Sequence, residues 1–280
     1  MCIRDRDRKA LQAGTSHFLG QNFAKASGIE FQSRTGALQH AWTTSWGVST
    51  RLIGGMLMVH GDDNGMIMPP RLAPSHVVLL PILRKNNEDE AVLAYCRTIA
   101  EQVSEQTYDG KPVLVEVDDR DLNAGEKSWE WIKKGIPVIA EVGPRDMAGN
   151  TVFVCRRGQG RGERFGQNKD EFSGSVGDLL ADIQSSLFKR ALACREENSR
   201  EFDHWDDFQA FFTPQNKEKP EIHGGFALAH WSENPACEQN INDALAVTIR
   251  GIPSDYTSAP GTCIACGCSS PRHVVYAKAY

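Results

Sequence analysis

No stretch of this 280-residue sequence approaches the roughly 18 consecutive apolar residues that a bilayer-spanning helix needs. Its first residues also lack the apolar core of an export signal. Neither a membrane protein nor a secreted one is expected. Cysteine is sparse: eight in 280 residues is below the density of a disulfide scaffold. An excess of charge of one sign is missing too, because 31 Lys+Arg against 36 Asp+Glu leave a net −5. That excludes a uniformly basic, histone-like nucleic-acid binder, though not a local basic face. Internal repeats and low-complexity tracts are absent. What is present, 40% hydrophobic and 24% charged residues, is ordinary for globular chains, and the length suggests more than one domain. The expectation is a soluble, cytoplasmic, multi-domain protein.

Three blocks follow along the chain. In the first, residues 1–74, the string AWTTSWG reads as a strand, and Val48, Leu52, Ile53, Met56 and Val59 then recur at helical spacing. Prolines 69, 70 and 74 close the block. The second, residues 75–160, alternates: HVVLLPI is a strand, and Val92, Leu93, Cys96, Ile99, Ala100 and Val103 mark one face of a helix with an acidic start. PVLVEV, IPVIAEV and TVFVCR are further strands, and EKSWEWIKK is a short helix. Such alternation predicts an α/β domain around a mainly parallel sheet. In the third, residues 161–280, SVGDLLADIQSSLFKRAL is a helix with Ser175 as its N-cap. Trp205, Phe208, Phe211 and Phe212 read as core, and GGFALAHW, LAVTIR and HVVYAKAY as strands of a small α+β domain.

Chemistry concentrates at the front. Gln12, Thr15, Ser16, His17, Gln21 and Asn22 crowd hydrogen-bonding groups around Gly14 and Gly20, as recognition of a polar small molecule requires. In TTSWGVSTRLIG a glycine closes a strand, hydroxyls follow, and Arg51 sits in the first turn of the helix, where a guanidinium can fork onto phosphate oxygens. Near the other end, CIACGC holds Cys263, Cys266 and Cys268. A C-x-x-C pair on a Gly-bearing turn is half of a zinc site, with reduced thiols on a hairpin as the alternative.

QAGTSHFLGQNFAKA (12–26), TTSWGVSTRLIGGMLMVHGDDNGMIMPPRLAP (43–74), DDRDLNAGEKSWEWIKKGIP (118–137), EVGPRD (141–146), GTCIACG and a terminal AKAY together resemble the class II aminoacyl-tRNA synthetases. Within them the sequence resembles the prolyl-tRNA synthetase family of the archaeal- and eukaryote-like branch. The resemblance runs from about Asp7 to Tyr280 in family order, and MCIRDR at the start matches nothing in it. It implies a multi-domain chain of α/β and α+β class: the last part of a catalytic sheet (1–74), an α/β anticodon-binding domain (75–160) and a small C-terminal domain (161–280). The implied activity is ATP-dependent activation of L-proline and its transfer to tRNA(Pro), with ATP and Mg2+ as cofactors and a homodimer in the full-length form. TSWGVSTRLIG resembles motif 3, so the resemblance places Arg51 on ATP phosphate with Ser49, Gln12 and Thr15 beside the nucleotide. It places His17 in the proline pocket, walled by Trp46 and Gly47. Motifs 1 and 2 are not found, so a fragment inactive by itself is expected. The alternatives are a freestanding tRNA-binding accessory protein and a class II synthetase for another amino acid.

An anticodon-reading domain needs basic groups for phosphates and edges for unstacked bases. Arg156, Arg157, Arg161, Arg164 and Lys169 stand against Glu163 alone. Glu141 and Asp146 are candidate acceptors for guanine N1 and N2 donors, with Arg145 for O6 and N7. The family's C-terminal domain often holds Zn2+ on four cysteines. Cys237, Cys263 and Cys266 would fill three places, Ser232 stands at another, and His230 and Cys268 are further candidates. The resemblance also implies that Tyr280 tucks, buried, against the first block.

Overall fold

The computed structural model describes residues 2–3, 8–84, 87–158, 162–216, 218–254 and 259–280. Its fold is mixed, with one α/β unit and one α+β unit: Met56–Cys194 form one, Met1–Gly55 with Arg195–Tyr280 the other. The first segment contributes β1 (Thr15–Gly20) and β2 (Thr43–Gly47), paired antiparallel, and then α1 (Arg51–His60). The β-branched and aromatic string of β2 and the helical spacing after it thus fold as expected.

The unit from Met56 to Cys194 contains β3 (Val77–Pro81), α2 (Asp89–Ser104), β4 (Val115–Val117), α3 (Ala124–Lys134), β5 (Val138–Val142), α4 (Pro144–Ala148), β6 (Thr151–Arg156), β7 (Glu163–Asn168) and most of α5 (Lys169–Glu197). The sheet order is β4-β3-β5-β6-β7, parallel among the first three strands and antiparallel beyond. All five residues of β3 are buried, as a central parallel strand covered on both faces demands. One face carries Val77, Leu79, Val138, Ala140, Val152 and Val154, packed with Val92, Cys96, Ile99 and Val103 of α2 and Phe172, Val176, Leu180, Ile183 and Leu187 of α5. The opposite face carries Val78, Leu80, Ile139 and Cys155 against Trp131 and Ile132 of α3.

Two expectations change here. The unit reaches past residue 160, because β7 pairs along the whole of β6 and α5 seals the first face of the sheet. Ser175 is not a cap. The helix begins at Lys169, where the Asn168 side chain accepts from the N–H of Asp170 at 2.9 Å, and Ser175 Oγ bonds back to Phe172 O within the helix. Gly135 ends α3 at φ 80°, and a Cβ there would meet Met66 at 2.9 Å. The 61–68 loop thereby passes directly beneath that helix end.

The second unit also holds a four-stranded sheet and two helices: β8 (Ser199–Glu201), α6 (Trp205–Phe212), β9 (Phe226–His230), α7 (Pro235–Leu245), β10 (Val247–Gly251) and β11 (His273–Lys278), with sheet order β8-β9-β11-β10. Phe208 and Phe212 are buried with Ile241, Val247, Val274 and Tyr276, so the aromatic cluster is core. Ala279 pairs with Ala10, and Tyr280 N–H donates to Ala10 O at 3.2 Å. The backbone end is therefore tied to the first segment, but the Tyr280 side chain is 65% exposed. Pairing holds its main chain and no element covers its ring, which corrects the expectation of burial.

Candidate functional site

Antiparallel pairing sets Thr15 opposite Gly47 and His17 opposite Ser45, with Ser16 opposite Trp46 on the other face. Around the first pair lies a cavity of about 320 Å³ lined by Gln12, Gly14, Thr15, Gly47, Ser49 and Arg51. A hydrogen-bond chain organises it. Arg51 Nη1 donates to Gln12 Oε1 at 3.4 Å, Gln12 Nε2 donates to Thr15 Oγ1 at 3.0 Å, and the Arg51 N–H donates to Ser49 Oγ at 3.4 Å. A Cβ on Gly14 would sit 3.4 Å from Gly47 O, so small residues let these backbones approach. The four residues assigned to the nucleotide thus meet in one place, and Arg51 brings a charged fork suited to phosphate.

The group assigned to proline does not meet as one wall. His17 shares a face with Thr15, two positions further along β1, outside the cavity lining. Trp46 projects from the opposite face and is 78% exposed. Gly47 belongs to the Gln12–Arg51 cavity. The two-residue period of a strand forces this separation.

The basic run divides as well. Arg157 is fully buried, donating to Met66 O at 3.2 Å and pairing with Asp62 at 3.5 Å. Arg156 is paired with Asp182 and bonded to Ser186 on α5. The Arg157 guanidinium is therefore engaged inside the fold, while Arg156 is held in a surface ion pair. Asp146 caps α4, accepting from the Gly143 N–H at 2.9 Å, while Arg145 is exposed. Lys169 pairs with Asp170 at 3.1 Å, and Arg161 lies outside the described residues.

Glu141 and Arg164 face each other at 3.9 Å. They line a cavity of about 490 Å³ with Gly125, Ser128, Trp129 and Ile132. Sequence reasoning did not single out Ser128 or Trp129; the available signal was an aromatic on the polar side of an otherwise amphipathic helix.

Cys237, Cys263 and Cys266 converge, with sulfurs within 4.8 Å of one another. The turn after Cys263 is closed by its N–H to Cys268 O at 2.8 Å and by Gly267 N–H to Cys263 O at 2.9 Å. Ser232 Oγ lies 3.6 Å from the sulfurs of both Cys237 and Cys266. Contact with that hydroxyl, and then with the Cys268 backbone, holds the Cys266 thiol down at about 6. His230 is occupied elsewhere, 3.1 Å from Ser270 Oγ with its ring tilted against His273, and Cys268 is outside the cluster. Three thiols converging at a tight turn supply three of the four ligands of a structural zinc site, and the Ser232 hydroxyl beside them is not one of the usual ligand types.

Residues 76–179 match the family described as Anticodon binding domain, and residues 216–280 match Prolyl-tRNA synthetase, C-terminal. Proline–tRNA ligase 2 of Anaeromyxobacter dehalogenans is 53% identical over 279 residues, covering 98% of this chain and 54% of that protein. Proline–tRNA ligase of Bdellovibrio bacteriovorus is 46% identical over 275 residues, again 98% and 54%. Among solved structures, prolyl-tRNA synthetase from Cryptosporidium parvum, complexed with halofuginone and AMPPNP, superposes with a TM-score of 0.81 at 30% identity, covering 97% of this chain and 54% of that one. The chain spans about half the length of the curated relatives it matches. No helix among the described residues is long and apolar enough to cross a membrane.

Proposed function

We propose that this chain, with its anticodon-binding domain and its prolyl-tRNA synthetase C-terminal domain, serves a proline–tRNA ligase: activation of L-proline by ATP, then transfer to the 3′ end of tRNA(Pro). One observation carries the reading, namely identity of 53% to such a ligase across 98% of the chain. The 54% share of that relative supports reading the chain as part of a longer enzyme. On that reading, residues outside this sequence complete the adenylation site and the chain alone does not activate proline. The Cryptosporidium neighbour and the C-terminal family match support placement in the archaeal- and eukaryote-like branch. A homodimer, a cytoplasmic location, and a division into catalytic (1–74), anticodon-binding (from 75) and C-terminal parts belong to the same proposal.

The chemistry asks little of a protein nucleophile. A proline carboxylate oxygen attacks the α-phosphorus of ATP, the bond to the bridging oxygen breaks, and pyrophosphate leaves. Catalysis then consists of positioning and charge stabilisation. Arg51 offers guanidinium N–H groups to phosphate oxygens, while Gln12 accepts from its Nη1 and Ser49 accepts from its backbone N–H. Thr15 and Gly47 leave room for a flat ring beside it. His17, on the same face two residues on, is placed to line the amino-acid side. Mg2+, when bound with ATP, supplies further charge neutralisation. Zn2+ would be held by Cys237, Cys263 and Cys266 and would tie α7 to the 263–267 turn.

Proline-dependent pyrophosphate exchange by the enzyme that contains this sequence in full tests the reading. Exchange should depend on proline and not on histidine, glycine or threonine. Arg51→Ala should lower it more than tenfold, since a charge-assisted phosphate contact is worth about 1.5–3 kcal/mol. Exchange that another amino acid drives equally well, or that ignores the Arg51 substitution, contradicts it.

A further inference from the structure

The thiols of the C-terminal turn have a chemistry of their own. Cys263 and Cys266 sit on a C-x-x-C turn, and Cys237 reaches the same point from the first turn of α7. Their three sulfurs lie within 4.8 Å of one another. All three are free thiols, but solvent reaches them unequally: Cys237 is 4% exposed and Cys263 2%, while Cys266 is exposed. One hydroxyl links the open sulfur to a buried one. Cys266 Sγ donates to Ser232 Oγ, and Ser232 Oγ donates to Cys237 Sγ, each at 3.6 Å. The Cys237 and Cys266 thiols are also in hydrogen-bond contact with each other.

Ser232 bears on what this cluster can do. Three thiolates occupy three positions of a tetrahedral zinc ion, and a serine hydroxyl is not among the usual ligands for the fourth. Even a metal-bearing cluster is therefore not sealed by four thiolates, and its exposed member is the sulfur that a small oxidant meets first.

We propose that Cys266 is a site of reversible oxidation by hydroperoxides, resolved by Cys237 as a disulfide that replaces zinc as the tie between α7 and the 263–267 turn. The Cys266 sulfur attacks one oxygen of the hydroperoxide, the O–O bond breaks, and the other oxygen takes the thiol proton and leaves as water or an alcohol. Sulfur loses two electrons to the peroxide and becomes a sulfenic acid. The Cys237 sulfur then attacks the Cys266 sulfur, the S–O bond breaks, and hydroxide leaves with the Cys237 proton as water. Two thiols and one hydroperoxide thus give one disulfide, one water or alcohol, and one water. Sulfurs at most 4.8 Å apart need to close by less than about 3 Å to reach bonding distance. A partner thiol already in contact captures the sulfenic acid before a second oxidant does, which keeps Cys266 from the irreversible sulfinic acid. Sulfurs joined in this way no longer ligate a metal, so zinc and the disulfide exclude each other.

The test uses the 280-residue chain, metal-free and zinc-loaded, with hydrogen peroxide as the probe. Thiols are counted by alkylation in denaturant and linkages by mass mapping of peptides. The metal-free chain should lose two of its eight alkylatable thiols, with Cys237 and Cys266 in one linked peptide pair, and dithiothreitol should restore both. The zinc-loaded chain should react more slowly and release one zinc for each disulfide formed. Cys237→Ala should stop at a Cys266 sulfenic acid that dimedone traps, and Cys268→Ser should leave the Cys237–Cys266 linkage unchanged. Circular dichroism checks that each variant is folded, and the wild-type mapping decides the proposal where one is not. A dominant linkage to Cys268, or Cys237 and Cys266 both still alkylatable after peroxide, would overturn the proposal and leave the zinc reading intact. Zinc release without a disulfide would overturn it as well.

Discussion

Asp118 shows how much one side chain contributes to shaping the α/β unit. Its carboxylate accepts from Arg120 Nε at 2.8 Å and Nη2 at 2.7 Å and from Trp131 Nε1 at 2.7 Å, while the residue is only 4% exposed. Hydrogen bonds from Arg120 foremost, opposed by burial, hold the carboxyl down at about 2. A depressed acid stabilises the fold above its unfolded pKa, near 4, and loses that contribution as pH falls toward the folded value. The difference corresponds to about 2 kcal/mol. Asp118→Asn should therefore cost roughly that much at pH 7 and flatten the stability profile between pH 4 and 2, as urea titrations at several pH values will show. Arg157 makes the complementary case. The sequence offers it as one more cation in a basic run, yet burial against Met66 O and Asp62 makes it a strut for the 61–68 loop. Arg157→Ala should lower stability by about 3 kcal/mol or more by stranding those partners, while RNA affinity per folded molecule stays unchanged. Nothing local to the residue announces that role, because burial is decided by a loop some ninety positions away.

At the scale of elements, long apolar patterns were legible and polar edges were not. The stripe Val92–Cys96–Ile99–Val103 is buried as its spacing requires, and the run before residue 82 forms the middle one of the three parallel strands. The segment ERFGQN, by contrast, has one large apolar residue in six and reads as a charged connection. It is a strand because β6 offers it a free edge. The start of α5 moved for a related reason, since Asn168 at the end of that unseen strand provides the cap. Asn168→Ala should cost about 1 kcal/mol, with Ser175→Ala near neutral, in thermal or urea unfolding. Strand period also explains the split candidate site. Gln12, Thr15, Ser49 and Arg51 were legible as a set and meet in one cavity, whereas Trp46 cannot stand beside His17 when each faces away from the other. At the C-terminal turn, the three converging thiols should bind one zinc per chain, with Ser232 beside them where a fourth ligand would come. Cobalt substitution should give sulfur-to-metal charge-transfer bands of a three-thiolate site, and Ser232→Cys should tighten binding and strengthen those bands; unchanged spectra would remove Ser232 from the fourth corner.

For the whole molecule, the alternation of strands and helices fixes an α/β part and an α+β part, and both are found. The contacts group the chain into two units, because residues 1–55 associate with 195–280 through pairings such as Ala10 with Ala279. Sequence order hides such a return, since the partners are separated by more than two hundred positions. The central proposal is that this chain, as part of a longer enzyme, recognises the proline anticodon. Its most direct test is the affinity of the 280-residue chain for tRNA(Pro) against the same tRNA with its anticodon guanines replaced by adenines, measured across a salt series. The account predicts tighter binding to tRNA(Pro) at every salt concentration, with both affinities falling steeply as salt rises. Equal affinity for the two RNAs would contradict it.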